Sequence, residues 1–228
     1  MLRLFAWTGG GLFVASLAYG AYFYAVVLAR AGHPEPAWLA VLTNVALFSL
    51  FACHHSVLAQ PAVKQLVTRF VPVAAERSLY VWCASLLWLL FCAAWQGLPG
   101  VVYAVEGAGR WPLYATQWAG VWLTIKSAAV IHPLELSGIA QAAGTTRSAA
   151  LMVDGPFRIV RHPIYLAWLL MVFATPLMTV NRLLFAVVSS SYLVLAIPWE
   201  ERSLLTAFGD RYRAYQRQVR WHLLPGIW

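Results

Sequence analysis

The sequence predicts an all-α, polytopic integral membrane protein with about six transmembrane helices and a C-terminal amphipathic helix on the cytoplasmic face. Three observations predict it. Of the 228 residues, 61% are hydrophobic and only 11% charged, against about a quarter charged in ordinary soluble domains. The apolar residues gather into long runs, near 5–29, 37–58, 79–96, 113–132, 163–179 and 183–199, and a helix needs about 20 such residues to cross the hydrocarbon core. The last 29 residues, from Glu200, are mostly polar yet space Phe208, Tyr212, Tyr215 and Val219 as a helix face would, which suits a helix lying in the interface.

The first run follows Arg3 and is longer than the apolar core of a signal peptide, about 7–15 residues, so it reads as a retained helix. Gly9, Gly10, Gly11 and Gly20 within it allow close helix packing. The second run ends in CHHSVLAQ and brings His54 and His55 to its inner end. Glu76 and Arg77 open the ERSLY stretch before the third run, and the fourth carries Lys126, then His132 at a limit marked by Pro133, then Glu135. Residues 1–137 form a membrane scaffold that shapes a substrate pocket, and residues 138–228 form the catalytic region. Between them Gly138–Asp154 is polar and rich in Gly and Ala, a linker or lid, and DGPF behind it is a turn signal. Pro163 suits the first position of a helix, which puts His162 at the N-cap. The sixth run ends at Glu200 and Glu201, two residues after Pro198, where the helix loses a hydrogen bond and can kink.

A net charge of +8 raises the question of a nucleic-acid partner. With the N-terminus in the cytoplasm, twelve of the 16 Lys and Arg residues fall on the inner side, Arg147 among them, while Arg30, Arg110 and Arg182 fall outside and Lys126 within the fourth helix. That is the positive-inside bias of a membrane protein, and nucleic acid is not expected. Cys53, Cys83 and Cys92 all fall inside apolar runs, and with no CxxC spacing and no clustered HxxxH among the six histidines neither a disulfide framework nor a bound metal is expected.

Cations gather where the fifth helix starts. Arg161 and His162 stand beside the free N–H groups of a positive helix end, which attracts anions. Folding the last two helices into a hairpin about Asn181 sets His162 opposite Glu200 and Arg161 opposite Glu201. Ionisable groups in membrane segments are costly and point to function, and His54, His55, Lys126 and His132 converge on the same cytoplasmic side.

The blocks GPFRIVRHPIYLAW, PWEERSLLTAFGDRYRAYQRQV and LLPG, with HHSVLAQPAVKQLVTRFVPVAAERSLYV before them, cover nearly the whole chain. They resemble the isoprenylcysteine carboxyl methyltransferase superfamily, in the bacterial branch that includes methanethiol S-methyltransferase and accessory-type membrane proteins of nitrite and nitric-oxide reduction. The resemblance implies a pocket for S-adenosylmethionine built from Arg161, His162, Pro163, Tyr165, Glu200, Glu201, Tyr212 and Tyr215. Phe157, Ala167 and Pro198 depart from the family pattern.

The activity expected is methyl transfer to a small lipid-soluble thiol, methanethiol or hydrogen sulfide. His55, Arg161 and Glu201 are the expected catalytic residues, and His54, His55, Lys126, Glu76 and Arg77 those facing the substrate. Because the thiolate is the reactive form, His55 is expected to act as a base or as a group that stabilises the sulfur anion. A bacterial inner-membrane location with a cytoplasmic active site follows, with the bilayer but no obligate protein as partner. Two other readings remain: an NADPH-dependent sterol-type reductase, which the lack of a GxGxxG loop disfavours, and a non-enzymatic accessory protein of nitrogen-oxide metabolism.

Overall fold

A computed structural model describes residues 1–33, 36–58, 60–146 and 150–228. Arg147, counted above among the inner cations, and part of the Gly138–Asp154 segment lie outside the described residues. The order of elements is α1 (Leu2–Tyr22), α2 (Ala37–Val57), α3 (Pro61–Val67), α4 (Val73–Ala94), β1 (Val101–Ala104), α5 (Arg110–Ile131), α6 (Pro133–Leu136), α7 (Ile139–Ala143), α8 (Pro163–Phe173), β2 (Leu177–Thr179), α9 (Val180–Phe208) and α10 (Asp210–Gln218). The fold is nearly all-α, with β1 and β2 paired as one small sheet.

Among the described residues, four helical stretches are long and apolar enough to cross a membrane: Leu2–Val27, Ala37–Val57, Val73–Ala94 and Val180–Phe208. Exposed large side chains such as Trp7, Leu17, Leu42, Leu50, Leu86 and Leu195 cover their outer faces, as lipid contact requires. The fourth apolar run of the sequence forms α5, whose 22 residues are less apolar. The fifth run, 163–179, is not one helix. Its α8 has 11 residues, about 16 Å at 1.5 Å per residue, roughly half the hydrocarbon thickness. Pro176 biases Thr175 away from helical geometry, and the chain turns instead into β2, where Pro176 O accepts the Val105 N–H at 2.7 Å.

The chain forms two compact units that interleave in sequence. In the first, α1 packs on α4 and α7, and α2 on α4. Small residues make this possible: Gly9 and Gly20 of α1 lie against the Trp82 and Trp88 rings of α4, and both indoles donate to α1 carbonyls, Phe5 O at 3.0 Å and Ser16 O at 3.2 Å. Gly138 before α7 has φ +80°, and a Cβ there would sit 2.7 Å from Ser78 N. Gly138→Ala is therefore expected to cost at least about 1–2 kcal/mol from the left-handed backbone alone, seen as a lower Tm in detergent.

At the other end of this unit, α1 widens into a π-helical turn over Phe23–Val27. Arg182, 8% exposed, caps the carbonyls of Tyr24 and Ala25 from 3.0–3.3 Å. The arginine assigned to an outer loop is thus a buried helix cap.

In the second unit α5 packs along α8 and reaches the 3-10 turn Gly155–Arg158. Gly120 lets α5 approach the Ala167 carbonyl, and Gln117 Nε2 donates to Met171 O at 2.9 Å. The two helices are antiparallel. Trp168 on α8 bonds Ser189 Oγ on α9 at 2.9 Å, which fixes the α8–α9 register. Helix α9 runs unbroken through Pro198, so the glutamates stay level with the start of α8, as the hairpin about Asn181 predicts.

Candidate active site

Pro163 is the first residue of α8 and His162 its N-cap. This helix start is joined to the tail by backbone hydrogen bonds, Arg161 N to Trp221 O at 2.9 Å and His162 N to His222 O at 3.0 Å. The Arg161 side chain completes the clasp. Its Nε donates to Glu201 Oε1 at 2.6 Å and its Nη2 to Oε2 at 3.5 Å; Nη1 donates to the carbonyls of Val219 and Arg220, both at 2.8 Å; Nη2 also meets His222 Nε2 at 2.6 Å. An arginine fork matches this set because its donors are fixed in one plane. The anion that Arg161 holds is Glu201.

The carboxylates divide the work. Glu201, with its side chain 12% exposed, also faces His162 Nε2 at 3.3 Å and receives Gln216 Nε2 at 3.1 Å. Glu200 is 45% exposed and 3.4 Å from His162 Nδ1, and it accepts the Tyr165 hydroxyl at 2.7 Å. Tyr165 stacks on His162, which lies parallel to His222, which stacks on Trp228.

Two histidines of this cluster titrate in opposite senses. Burial pulls the His162 pKa down, but hydrogen bonds to Glu200 and Glu201 overcome it and hold the pKa above the ordinary value. Burial and the Arg161 charge hold His222 below it. A raised histidine stabilises the fold fully below its unfolded pKa, about 6.5, and loses that contribution as pH rises through its folded value; a depressed one contributes above 6.5 and loses it as pH falls. The thermal midpoint is therefore expected to peak near pH 6.5, and His162→Gln to remove the fall on the alkaline side.

The third component is α10. Gly209, at φ 52°, breaks the path between α9 and α10, and α10 turns Tyr212 and Tyr215 inward. With Val219 they pack against Leu151, Val153, Phe157, Leu204, Leu205 and Phe208. The apolar face expected to lie in the membrane interface is thus largely spent on the protein itself, and α10 has only nine residues. Tyr215 donates to Phe157 O at 2.7 Å. Burial pushes its phenol up to about 12, and burial with the Glu201 charge raises Tyr212 further, so both stay neutral. The Tyr212 hydroxyl is buried and has no hydrogen-bond partner among the described residues. Beside Tyr215 lies a cavity of about 330 Å³, lined also by Val153, Asp154, Arg158, Gln218 and Val219.

The first unit gathers another group about Tyr80. Its hydroxyl is 2.6 Å from His55 Nδ1, its ring stacks on His54, and the Arg77 guanidinium lies 4.8 Å from the ring centroid. Glu76 occupies the first turn of α4, where a carboxylate suits the positive helix end. Lys126 is exposed on α5 beside the Trp122 ring.

Sequence reasoning missed Tyr80, Gln216 and His222. His222 had one usable signal, a lone histidine in a tail otherwise basic and aromatic. Tyr80 and Gln216 had none.

Residues 114–211 match the family model described as phospholipid methyltransferase. The chain is 40% identical over 196 residues to methanethiol S-methyltransferase from Mycobacterium tuberculosis, covering 83% of this chain and 80% of that one. It is 37% identical over 193 residues to methanethiol S-methyltransferase 2 from Bradyrhizobium diazoefficiens, covering 82% and 74%. Nurim from Bos taurus is 28% identical, covering 86% and 82%. No solved structure matches. With relatives this similar over most of both chains, and with the RHPxY and EE motifs joined in one cluster, this chain belongs to the methanethiol S-methyltransferase family of membrane methyltransferases.

Proposed function

We propose that the protein transfers the methyl group of S-adenosylmethionine to a small lipid-soluble thiol, converting methanethiol to dimethyl sulfide and accepting hydrogen sulfide as well. The observation that carries this reading is the Arg161–Glu201 clasp, which sets a second, half-exposed carboxylate, Glu200, at the mouth of the cluster.

The residues fit the cofactor. Glu200 accepts hydrogen bonds from an ammonium or ribose hydroxyl, the start of α8 favours a carboxylate, and Tyr212 has a hydroxyl to share. The cavity beside Tyr215 falls within the size of small-molecule sites, about 300–1,000 Å³. When bound, S-adenosylmethionine supplies an electrophilic methyl on a sulfonium. Arg161 acts by positioning: it holds Glu201 and the tail so that the cofactor's partners keep their geometry.

His55 serves on the acceptor side as the group that stabilises the sulfur anion. Where the Tyr80 hydroxyl donates to Nδ1, the neutral imidazole carries its hydrogen on Nε2 and acts as a donor. His54, Glu76 and Arg77 shape the acceptor region and Lys126 its approach. Catalysis is then mainly alignment and exclusion of water. In the bacterial inner membrane, α5 and the α8–β2 segment complete six apolar segments, with the N-terminus and the cluster on the cytoplasmic side.

The test is calorimetric titration of the detergent-purified protein with S-adenosylmethionine and, in parallel, NADPH. Saturable binding of S-adenosylmethionine, weakened about tenfold or more by Glu200→Gln, is expected, since a hydrogen bond to a charged group contributes about 1.5–3 kcal/mol. Binding of NADPH alone, or of neither, overturns the proposal.

A further inference from the structure

His132 closes α5 in a conformation that its side chain resists. Among the described residues it alone, other than glycine, has a positive φ, 70°, with ψ 112°, and it precedes Pro133, which favours extended backbone at that position. Glycine takes a positive φ without strain. The His132 Nδ1 is buried and without a hydrogen-bond partner among the described residues, although buried polar atoms ordinarily have one. Backbone and side chain are thus both held at a cost on one residue, a pattern that gathers at ligand and active sites.

Its place in the second unit fits such a role. Gln117 of α5 is level with Met171 of α8, Gly120 with Ala167, and Val130 with Gly155 of the 3-10 turn. Descending α5 therefore leads past the start of α8, so that His132 lies at the same end of the unit as Arg161 and His162. The turn it approaches is the one whose Phe157 carbonyl holds Tyr215.

We infer that His132 is a further catalytic residue, the base whose Nδ1 takes the proton of the acceptor thiol. The inference rests on the thiol methyltransferase reading. As the acceptor sulfur forms its bond to the methyl carbon, the bond from that carbon to the sulfonium breaks and its electron pair stays on the donor sulfur; the thiol proton passes to Nδ1, while Nε2 carries the hydrogen of the neutral imidazole. The strained backbone holds the imidazole ready before the acceptor arrives.

The experiment compares the full chain with His132→Gly, which takes a positive φ without strain, and His132→Asn, which keeps a polar side chain. Turnover is measured with methanethiol and with the more acidic 2,2,2-trifluoroethanethiol, alongside S-adenosylmethionine binding and the thermal midpoint. Both variants are expected to lose about 100-fold or more in methanethiol turnover, the usual worth of a general base, and to bind the cofactor as the wild type does. His132→Gly is expected to melt no lower than the wild type, and the loss to shrink with the acidic thiol, which arrives more ionised. Unchanged turnover, an equal loss on both thiols, or a lower midpoint in His132→Gly overturns the assignment. A wild-type protein that binds the cofactor but methylates neither thiol overturns the thiol reading first, and this one with it.

Discussion

Arg161→Ala is expected to abolish methyl transfer and to loosen the C-terminal tail in one step. Arg161 is 9% exposed, and its guanidinium joins Glu201 on α9 to the carbonyls of Val219 and Arg220 and to His222. Removing one partner of a buried ion pair typically costs about 3–5 kcal/mol, because the other charge is left in a poor solvent, and total stability is commonly only about 5–15 kcal/mol. Arg161→Lys is expected to recover little, since a single ammonium on a flexible stem lacks the planar fork that reaches all these acceptors. Thermal unfolding in detergent and limited proteolysis between Gln218 and Trp228 read the structural loss; thiol methylation reads the functional one. A wild-type midpoint in Arg161→Ala would show that the clasp carries no stability.

Tyr212 supplies the second large effect and separates packing from ligand binding. The side chain is 1% exposed within the aromatic cluster of α10, so Tyr212→Ala is expected to cost about 3–5 kcal/mol, as large aromatic truncations do. Tyr212→Phe keeps the ring and removes only a buried hydroxyl that lies near Glu201 without a hydrogen bond of ordinary geometry. An unsatisfied buried polar group carries a penalty of about 1–3 kcal/mol, so the ligand-free Phe variant is expected to melt at or above the wild type. If that hydroxyl meets the cofactor, the same variant binds S-adenosylmethionine more weakly. Paired thermal scans with and without the ligand check both statements, and a lower midpoint for the ligand-free Phe variant contradicts the first.

What could be read from the sequence was set by long-range apolar patterning and by motif spacing. The Asn181 hairpin places Arg161 against Glu201 and His162 against Glu200 because two antiparallel helices of similar rise bring equal counts level, and those pairs are in contact. Pro198 did not disturb them, since one lost hydrogen bond within a 29-residue helix leaves the remaining ladder intact. Hydropathy could not see that the 163–179 run divides at Pro176, because it weighs side chains and not the backbone restriction a proline imposes on its neighbour. Tyr80 and Gln216 owe their places to packing between elements, which single-chain periodicity does not encode. Arg182 was counted by its loop position, but the carbonyls that hold it come from a π-helical turn more than 150 residues earlier.

The clasp also sets an order for the making of the protein. Arg161 and its His222 partner are 61 residues apart, and at roughly 5–20 residues per second a ribosome needs about 3–12 seconds to travel between them. For nearly all of that interval the arginine has been synthesised while the carbonyls of Val219 and Arg220 have not. The earlier helices can enter the bilayer as they emerge, whereas the Arg161 cluster must wait and close last. A nascent chain thus cannot close the clasp, and any stall before Val219 leaves Arg161 without its tail carbonyl partners.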